Sequence, residues 1–328
     1  MTIISKIFRN FKELFLFIVL IFFAVLICVN KKYSASILYG LELWIICVLP
    51  ALLPYFFITA VLSSLKVTGK LSLFLSPLTK KFFNVNGSVG YAFLISIISG
   101  YPIGAKIVSD LRLNNVIGPE EAVRASALCS TSSPTFLIAS VGGITFQNTL
   151  FGALLFLCHI ISALITGLIF SRYKYTVKPT DQVRLLSPAK TDNVLGESVY
   201  SAVTSVLNVG GLIALFYLFT DVILDLRLLY PFTALFELIF GNSSLSLGLT
   251  TGIIECTRGI KTLASAGLNF LSLPLTAFLC GFGGLSIIAQ SLTHLKKAKI
   301  KTAPFILAKI TSAVINFIIG ITISVILF

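Results

Sequence analysis

Uncharged apolar runs long enough to cross a bilayer recur along the whole chain, and several are broken by clusters of Gly, Ser and Pro. Thr149 to Phe170 carries no Asp, Glu, Lys or Arg, and Pro304 to Phe328 carries one, Lys309. About 20 apolar residues suffice to cross the hydrocarbon layer. Composition removes the alternatives. The 328 residues are 56% apolar and 11% charged, where a soluble domain carries about 25% charged residues. So few charges cannot cover a water-facing surface, which excludes a soluble enzyme. The 28 Phe and the mean hydropathy of +1.00 exclude a disordered chain. The fold class is therefore an all-α polytopic membrane protein. The net charge of +13 reads as the positive-inside bias rather than as a nucleic-acid footprint.

The runs have an order. Basic residues Lys6, Arg9 and Lys12 precede Leu14–Val29, with no Ala-x-Ala-like cleavage site after it. That pattern predicts a signal-anchor helix within 1–36, N-terminus cytoplasmic. Ile37–Leu65 predicts a span, and the lysine-flanked stretch Leu71–Val85 an interfacial helix. Gly87–Ser99 is too short to span and runs into Gly100-Tyr101-Pro102-Ile103-Gly104, which predicts a re-entrant hairpin. Ala125–Gln147 spans but is interrupted at Ser130–Pro134, and Thr149–Phe170 spans without a break. The polar stretch 172–197 is a cytoplasmic linker. Beyond it the pattern returns, with a span over Val199–Leu224 and an interfacial Leu228–Phe240. A hairpin comes next, broken at Glu255–Lys261, then a span broken at Gly281–Gly284, and a last span from Pro304. Residues 37–171 and 198–328 thus form two repeats, each with one re-entrant hairpin and one broken helix.

Three net crossings per repeat invert the second repeat relative to the first. With seven crossings and the N-terminus inside, 19 of the 25 basic residues fall on cytoplasmic segments. Lys31, Lys32 and Arg227 fall outside, and Arg258, Lys261 and Lys309 fall within membrane segments. A true span in place of either hairpin would destroy that asymmetry. A helix broken in hydrocarbon exposes backbone groups at a cost of several kcal/mol each unless they are satisfied. Paired breaks in inverted repeats therefore predict a secondary transporter with its solute site at the breaks. The six cysteines (Cys28, Cys47, Cys129, Cys158, Cys256 and Cys280) lie in apolar runs without metal-ligand spacing and read as small buried residues.

Ser99-Gly-Tyr-Pro-Ile-Gly-Ala-Lys106, the Glu120-Glu121 helix leading to Ser133-Pro134-Thr135-Phe136, and Gly281-Phe-Gly-Gly-Leu-Ser286 with Ala289-Gln290 resemble the sporulation integral membrane proteins of the YlbJ type, which carry nucleoside-recognition (Gate) domains. The layout is also similar to the concentrative nucleoside transporter fold. The chain departs from the family's pattern at Ser133, where the pattern has Gly, and at Ile288, where it has His. The resemblance implies a multi-pass protein of the bacterial cell membrane, in the mother-cell-derived outer forespore membrane, that moves dipicolinic acid during sporulation.

A site for a planar dicarboxylate needs cations or N–H donors and flat walls. At the first hairpin the candidates are Gly100, Tyr101, Pro102, Gly104 and Lys106, with Lys106 either reaching the cavity or snorkelling to the cytoplasmic side. At the first break they are the hydroxyls of Ser130, Thr131, Ser132 and Ser133. At the second hairpin they are Glu255, Thr257 and Arg258. Glu255 suits proton or ion coupling, and Arg258 either grips a carboxylate or pairs structurally with Glu255. At the second break they are Gly281, Phe282, Gly283, Gly284, Ser286 and Gln290, where the glycines equally suit close packing and Phe282 could face Tyr101 as a second aromatic wall. His159 reads as a buried hydrogen-bonded histidine. Glu42 reads as facing the outer interface, and Asp221 and Asp225 as solvated near the outer end of their helix. No cofactor is expected; the coupling ion is Na+ or H+. Expected partners are a small-molecule anion and the lipid bilayer, not nucleic acid, with a homo-oligomer left open. The alternatives are an ion-coupled nucleoside transporter of the same fold and a non-transporting sporulation scaffold. No hydrolase or metalloprotease motif is present, so no enzymatic activity is expected.

Overall fold

A computed structural model describes residues 18, 21, 24, 25, 30–64, 67–175 and 193–327. Most of the expected anchor helix and most of the 172–197 linker lie outside the described residues. Within them the secondary structure is helical, with no strand. Seven helices precede the linker: α1 (Lys31–Leu62), α2 (Val67–Leu78), α3 (Gly87–Ser99), α4 (Ile103–Leu113), α5 (Pro119–Leu128), α6 (Thr135–Thr145) and α7 (Thr149–Phe170). Seven come after it: α8 (Val194–Asp225), α9 (Tyr230–Phe240), α10 (Ser243–Ile254), α11 (Cys256–Ala264), α12 (Ser272–Phe282), α13 (Gly284–Lys297) and α14 (Thr302–Leu327).

The two sets match in order and also in how their helices begin and end. Asn30 and Asn193 cap the first helix of each set, and Asn86 and Asn242 the third, each through its side-chain oxygen. Asparagine does this because its side chain satisfies a first-turn N–H that the helix itself cannot. The stretch α2–Phe83 ends at Asn84 (φ 54°) and α9 at Gly241 (φ 62°), both left-handed, which turns the chain sharply out of the helix. The axis bends by 95° between Gly69–Phe83 and α3. The expected interfacial segment is thus a helix roughly perpendicular to the hairpin arm.

Five described helices or helix pairs are long and apolar enough to cross a membrane: α1, α7, α8, α12 with α13, and α14. The expected span over Ala125–Gln147 is not one of them. Residues 130–133 are non-helical, and the chain resumes beyond them as the short, π-helical α6. In α1 the backbone widens into a π turn at Trp44–Val48. Pro50 just beyond cannot donate an N–H to the preceding turn, which accounts for the local widening.

Close glycine contacts fix how the halves meet. Gly40 of α1 lies against Ala214 and Tyr217 of α8, and Gly210 of α8 against the indole of Trp44. The two long leading helices therefore touch backbone to side chain, as small residues permit in lipid. The trailing helices α7 and α14 also pack together, joined by the Ser162 hydroxyl, which donates to the Ser312 carbonyl. Large apolar side chains such as Leu238, Ile326 and Tyr200 stay on the outside, as a bilayer-facing surface allows.

Candidate functional site

All the interruptions predicted from sequence come together. Gly100, at the tip of the first hairpin (φ 76°), sits so close to the first break that a Cβ there would lie 2.9 Å from the Ser133 amide nitrogen. A Cβ on Gly104 would lie 1.7 Å from the Cys129 carbonyl oxygen, so α4 rests directly on the end of α5. The second pair repeats the arrangement: a Cβ on Gly284 would lie 2.9 Å from the Cys256 amide nitrogen. Each hairpin tip is thus seated on the break of its own half.

Between these units lies a cavity of about 40 Å³, room for a few water molecules. Its polar lining comes from both halves, with Gly100, Tyr101, Ser132 and Ser133 on one side and Glu255, Thr257 and Gln290 on the other. The apolar walls come from residues outside the site candidates: Val48 and Leu52 of α1, Phe136 of α6, Val209 and Ile213 of α8, and Ile287 of α13. They are ordinary members of apolar runs, and nothing in their spacing distinguishes a wall from a lipid face.

A second, open hollow of about 1060 Å³ lies next to it and is lined by Lys32, Glu42, Asp221, Arg258 and Lys261 among others. The two share walls. Cys47 and Tyr217 face the outer hollow, and Val48 and Ile213, one residue and one turn away along their helices, face the inner cavity. On α11, Arg258 faces the hollow and its neighbour Thr257 the cavity. The hollow is therefore a vestibule to the inner cavity.

Arg258 stands at the wall between them. Its guanidinium donates to Asp221 Oδ1 at 2.6 Å and to the Tyr217 carbonyl at 3.4 Å, and it lies 5.0 Å from the Tyr217 ring centroid. This corrects two expectations. The partner of Arg258 is Asp221 and not Glu255, and Asp221 is largely buried, at 16% exposure, rather than solvated. The Ser36 hydroxyl also donates to Asp221. Helix packing decides this, because α8 brings Asp221 beside a hairpin 37 residues further along.

Glu255 is 1% exposed and is not ion-paired among the described residues. It instead caps α11, accepting from the Arg258 amide at 2.7 Å and the Thr257 hydroxyl at 2.5 Å. A carboxylate at a helix N-terminus meets the positive end of the macrodipole, which offsets part of its burial cost.

The remaining candidates divide. The Thr131 hydroxyl donates to Ser96 Oγ at 2.9 Å, tying the break to the hairpin arm. Ser130 Oγ is buried without a partner among the described residues. The Gln290 amide donates to Ser286 Oγ at 3.5 Å. Lys106 donates to Ser201 Oγ of α8 at 3.2 Å and does not line the cavity, nor do Pro102, Gly104 and Ser286. Gly281 serves packing: a Cβ there would lie 2.9 Å from the Ala313 Cα of α14. Gly283 (φ 82°) makes the left-handed turn between α12 and α13. Phe282 stacks on Phe278 of its own helix at 6.4 Å and does not form the wall facing Tyr101.

Behind the cavity wall sits a cluster of which the sequence pointed to Tyr101, Ser132 and the buried histidine. Tyr101 Oη donates to the Cys280 carbonyl at 3.1 Å and accepts from Lys309 Nζ at 2.9 Å. His159 Nε2 accepts from the Ser132 amide at 2.8 Å and lies 3.5 Å from Tyr101 Oη. Lys309 is 1% exposed. Its one sequence signal was a lone charge inside the last apolar run.

The chain is similar to the curated "Sporulation integral membrane protein YlbJ" of Bacillus subtilis (strain 168), 29% identical over 302 residues, covering 84% of this chain and 73% of the relative. No family model matches, and no solved structure matches.

Proposed function

From the YlbJ-type assignment and the membrane role in sporulation that this similarity supports, we propose that the protein is a secondary transporter of a small anionic metabolite, with dipicolinic acid the leading solute. The observation that carries the reading is the meeting of both hairpin tips, the first break and the helix that follows the second break around one cavity, mostly apolar with a few polar groups. Broken helices persist in lipid where their freed backbone groups line a cavity. The aromatic ring of Phe136 and the aliphatic Val48 and Ile213 beside N–H and hydroxyl donors from Ser132, Ser133 and Gln290 suit an apolar ring with polar substituents.

The mechanism rests on size and position. A cavity of about 40 Å³ is closed to any aromatic solute, while the vestibule at about 1060 Å³ admits one. Solute entry requires the second hairpin to part from α8, breaking the Arg258–Asp221 contact. Opening toward the opposite side requires the first hairpin, with Lys106 at its base, to part from α8 and α13. Alternating access is then movement of the hairpin–break units against the α1/α8 scaffold, with the breaks as hinges.

The test is uptake of labelled dipicolinate into vesicles carrying the purified protein, with and without Na+ and H+ gradients. Saturable uptake competed by unlabelled dipicolinate and not by nucleosides supports the reading. Uptake of nucleosides instead would favour the uncharged-solute alternative, which the charge-free rim of the cavity apart from Glu255 also accommodates. No uptake of either, with sporulation still dependent on the protein, would favour a scaffold.

A further inference from the structure

The inner cavity poses a difficulty for an anionic solute. Its one charged lining residue is Glu255, a carboxylate, and the nearest guanidinium, Arg258, is already neutralised by Asp221. Lys309 supplies what is missing. It is buried at the point where the first hairpin tip, the second break and α14 meet. Among the described residues no carboxylate pairs with it, and its one hydrogen-bond partner is the neutral Tyr101 hydroxyl. It also approaches the Tyr101 ring, at 4.1 Å from the centroid. An ammonium in that position lacks a counter-charge in a medium that exacts one.

A helix start lies beside it. A Cβ on Gly283, the residue from which α13 starts, would lie 3.5 Å from Lys309 Nζ. The first turn of α13 has no side-chain cap, and neither has the first turn of α4, which begins just after Tyr101-Pro102. The corresponding turn of α11 is capped by the Glu255 carboxylate. One uncapped helix start and Lys309 thus lie side by side with no carboxylate among the described residues paired to either, while the start of α11 carries its own. His159 adds to the same cluster an Nδ1 without a partner among the described residues. Its Nε2 accepts from Ser132, which leaves Nδ1 to carry the ring proton of the neutral imidazole.

We propose that Lys309, together with the uncapped start of α13 at Gly283-Gly284, is the anion-binding element of this protein and receives a carboxylate of the transported solute. Tyr101 is its cover. The phenol lines the cavity on one side and holds the ammonium on the other, so the two charges meet when Tyr101 turns aside. The inference rests on the transport reading for the identity of the solute and on the Lys309 cluster alone for the site.

The experiment is thermal melting of the full purified chain in detergent with dipicolinate, sulfate, phosphate or pyridine-2,6-dimethanol, which has the same ring without charge. Dipicolinate is expected to raise the melting temperature of the wild type and the uncharged analogue to leave it unchanged. Lys309→Met is expected to melt as high as or higher than the wild type without ligand, since an unpaired buried charge is removed, and to lose the anion-induced shift. Lys309→Arg keeps part of the shift, and Lys106→Met keeps all of it. Tyr101→Phe, which frees the ammonium of its acceptor, enlarges it. A full shift in Lys309→Met overturns the proposal, as does the absence of stabilisation of the wild type by every anion. Should Lys309→Met not fold, an unchanged shift in Tyr101→Phe overturns it. Anion binding that depends on Lys309 without vesicle uptake would remove the transport reading and leave the site. Undiminished uptake by Lys309→Met would do the reverse.

Discussion

Arg258 and Asp221 form a part-buried ion pair, at 19% and 16% exposure, that joins the tip of the second hairpin to the scaffold helix α8 at the floor of the vestibule. Removing one partner from a pair this shielded leaves an uncompensated charge, which costs about 3–5 kcal/mol. Asp221→Asn and Arg258→Gln should each lower the melting temperature strongly. The double variant should lose less than the sum, because neither charge is then left alone. Additive losses in thermal melts of the four proteins would show that the contact carries no coupling.

Gly104 separates the steric requirement from the general cost of changing a glycine. With a Cβ placed 1.7 Å from the Cys129 carbonyl, Gly104→Ala forces the first hairpin off its break and should cost more than about 3 kcal/mol, at the upper end for single substitutions. Gly211 in α8 has nothing within 4 Å of its would-be Cβ, so Gly211→Ala should be neutral or stabilising by up to about 1 kcal/mol. Melting curves of the two variants side by side check the contrast.

Glu255 has two roles that substitution can divide. Glu255→Ala removes the cap of α11 and should destabilise by about 1–2 kcal/mol. Glu255→Gln keeps an acceptor oxygen for the Arg258 amide while removing the titratable charge. If Glu255 is the proton-coupling group, Glu255→Gln vesicles should take up dipicolinate at a rate indifferent to an imposed proton gradient. An unaltered response to the gradient would assign coupling to another group.

His159 is the acceptor for a backbone N–H that the first break sets free. His159→Ala leaves the Ser132 amide buried and unpaired, at a cost of about 1–3 kcal/mol. His159→Gln can restore an acceptor and should recover part of the loss. Equal melting of the two variants would mean that the Ser132–His159 bond contributes nothing to holding the break.

The sequence was most informative where backbone chemistry is local. Runs without charge predicted the spans, and Gly100-Tyr101-Pro102, Ser130–Pro134, Glu255 and Gly283-Gly284 predicted the places where helices stop. The break residues Ser132 and Ser133 and the hairpin residues Tyr101, Glu255 and Thr257 do line one cavity. Long-range pairing was not legible. Asp221 read as solvated because its neighbours in the chain lie near a helix end, yet α8 carries it to Arg258. Phe282 read as a cavity wall because it lies within a break, yet it stacks on Phe278 one turn back on the same helix and stays out of the cavity lining.

By itself the sequence determined that this chain lives in a bilayer, where its helices must stop, and that its two halves keep to one plan. Those properties depend on residues adjacent along the chain, through the cost of unpaired backbone in hydrocarbon and of charge in lipid. Only the tertiary structure decided which charges neutralise each other and that Lys309, among the described residues, is left without a counter-charge beside the cavity. Electrostatic partnership depends on distances between helices, and one apolar run reads the same whichever of its faces meets lipid, protein or solute.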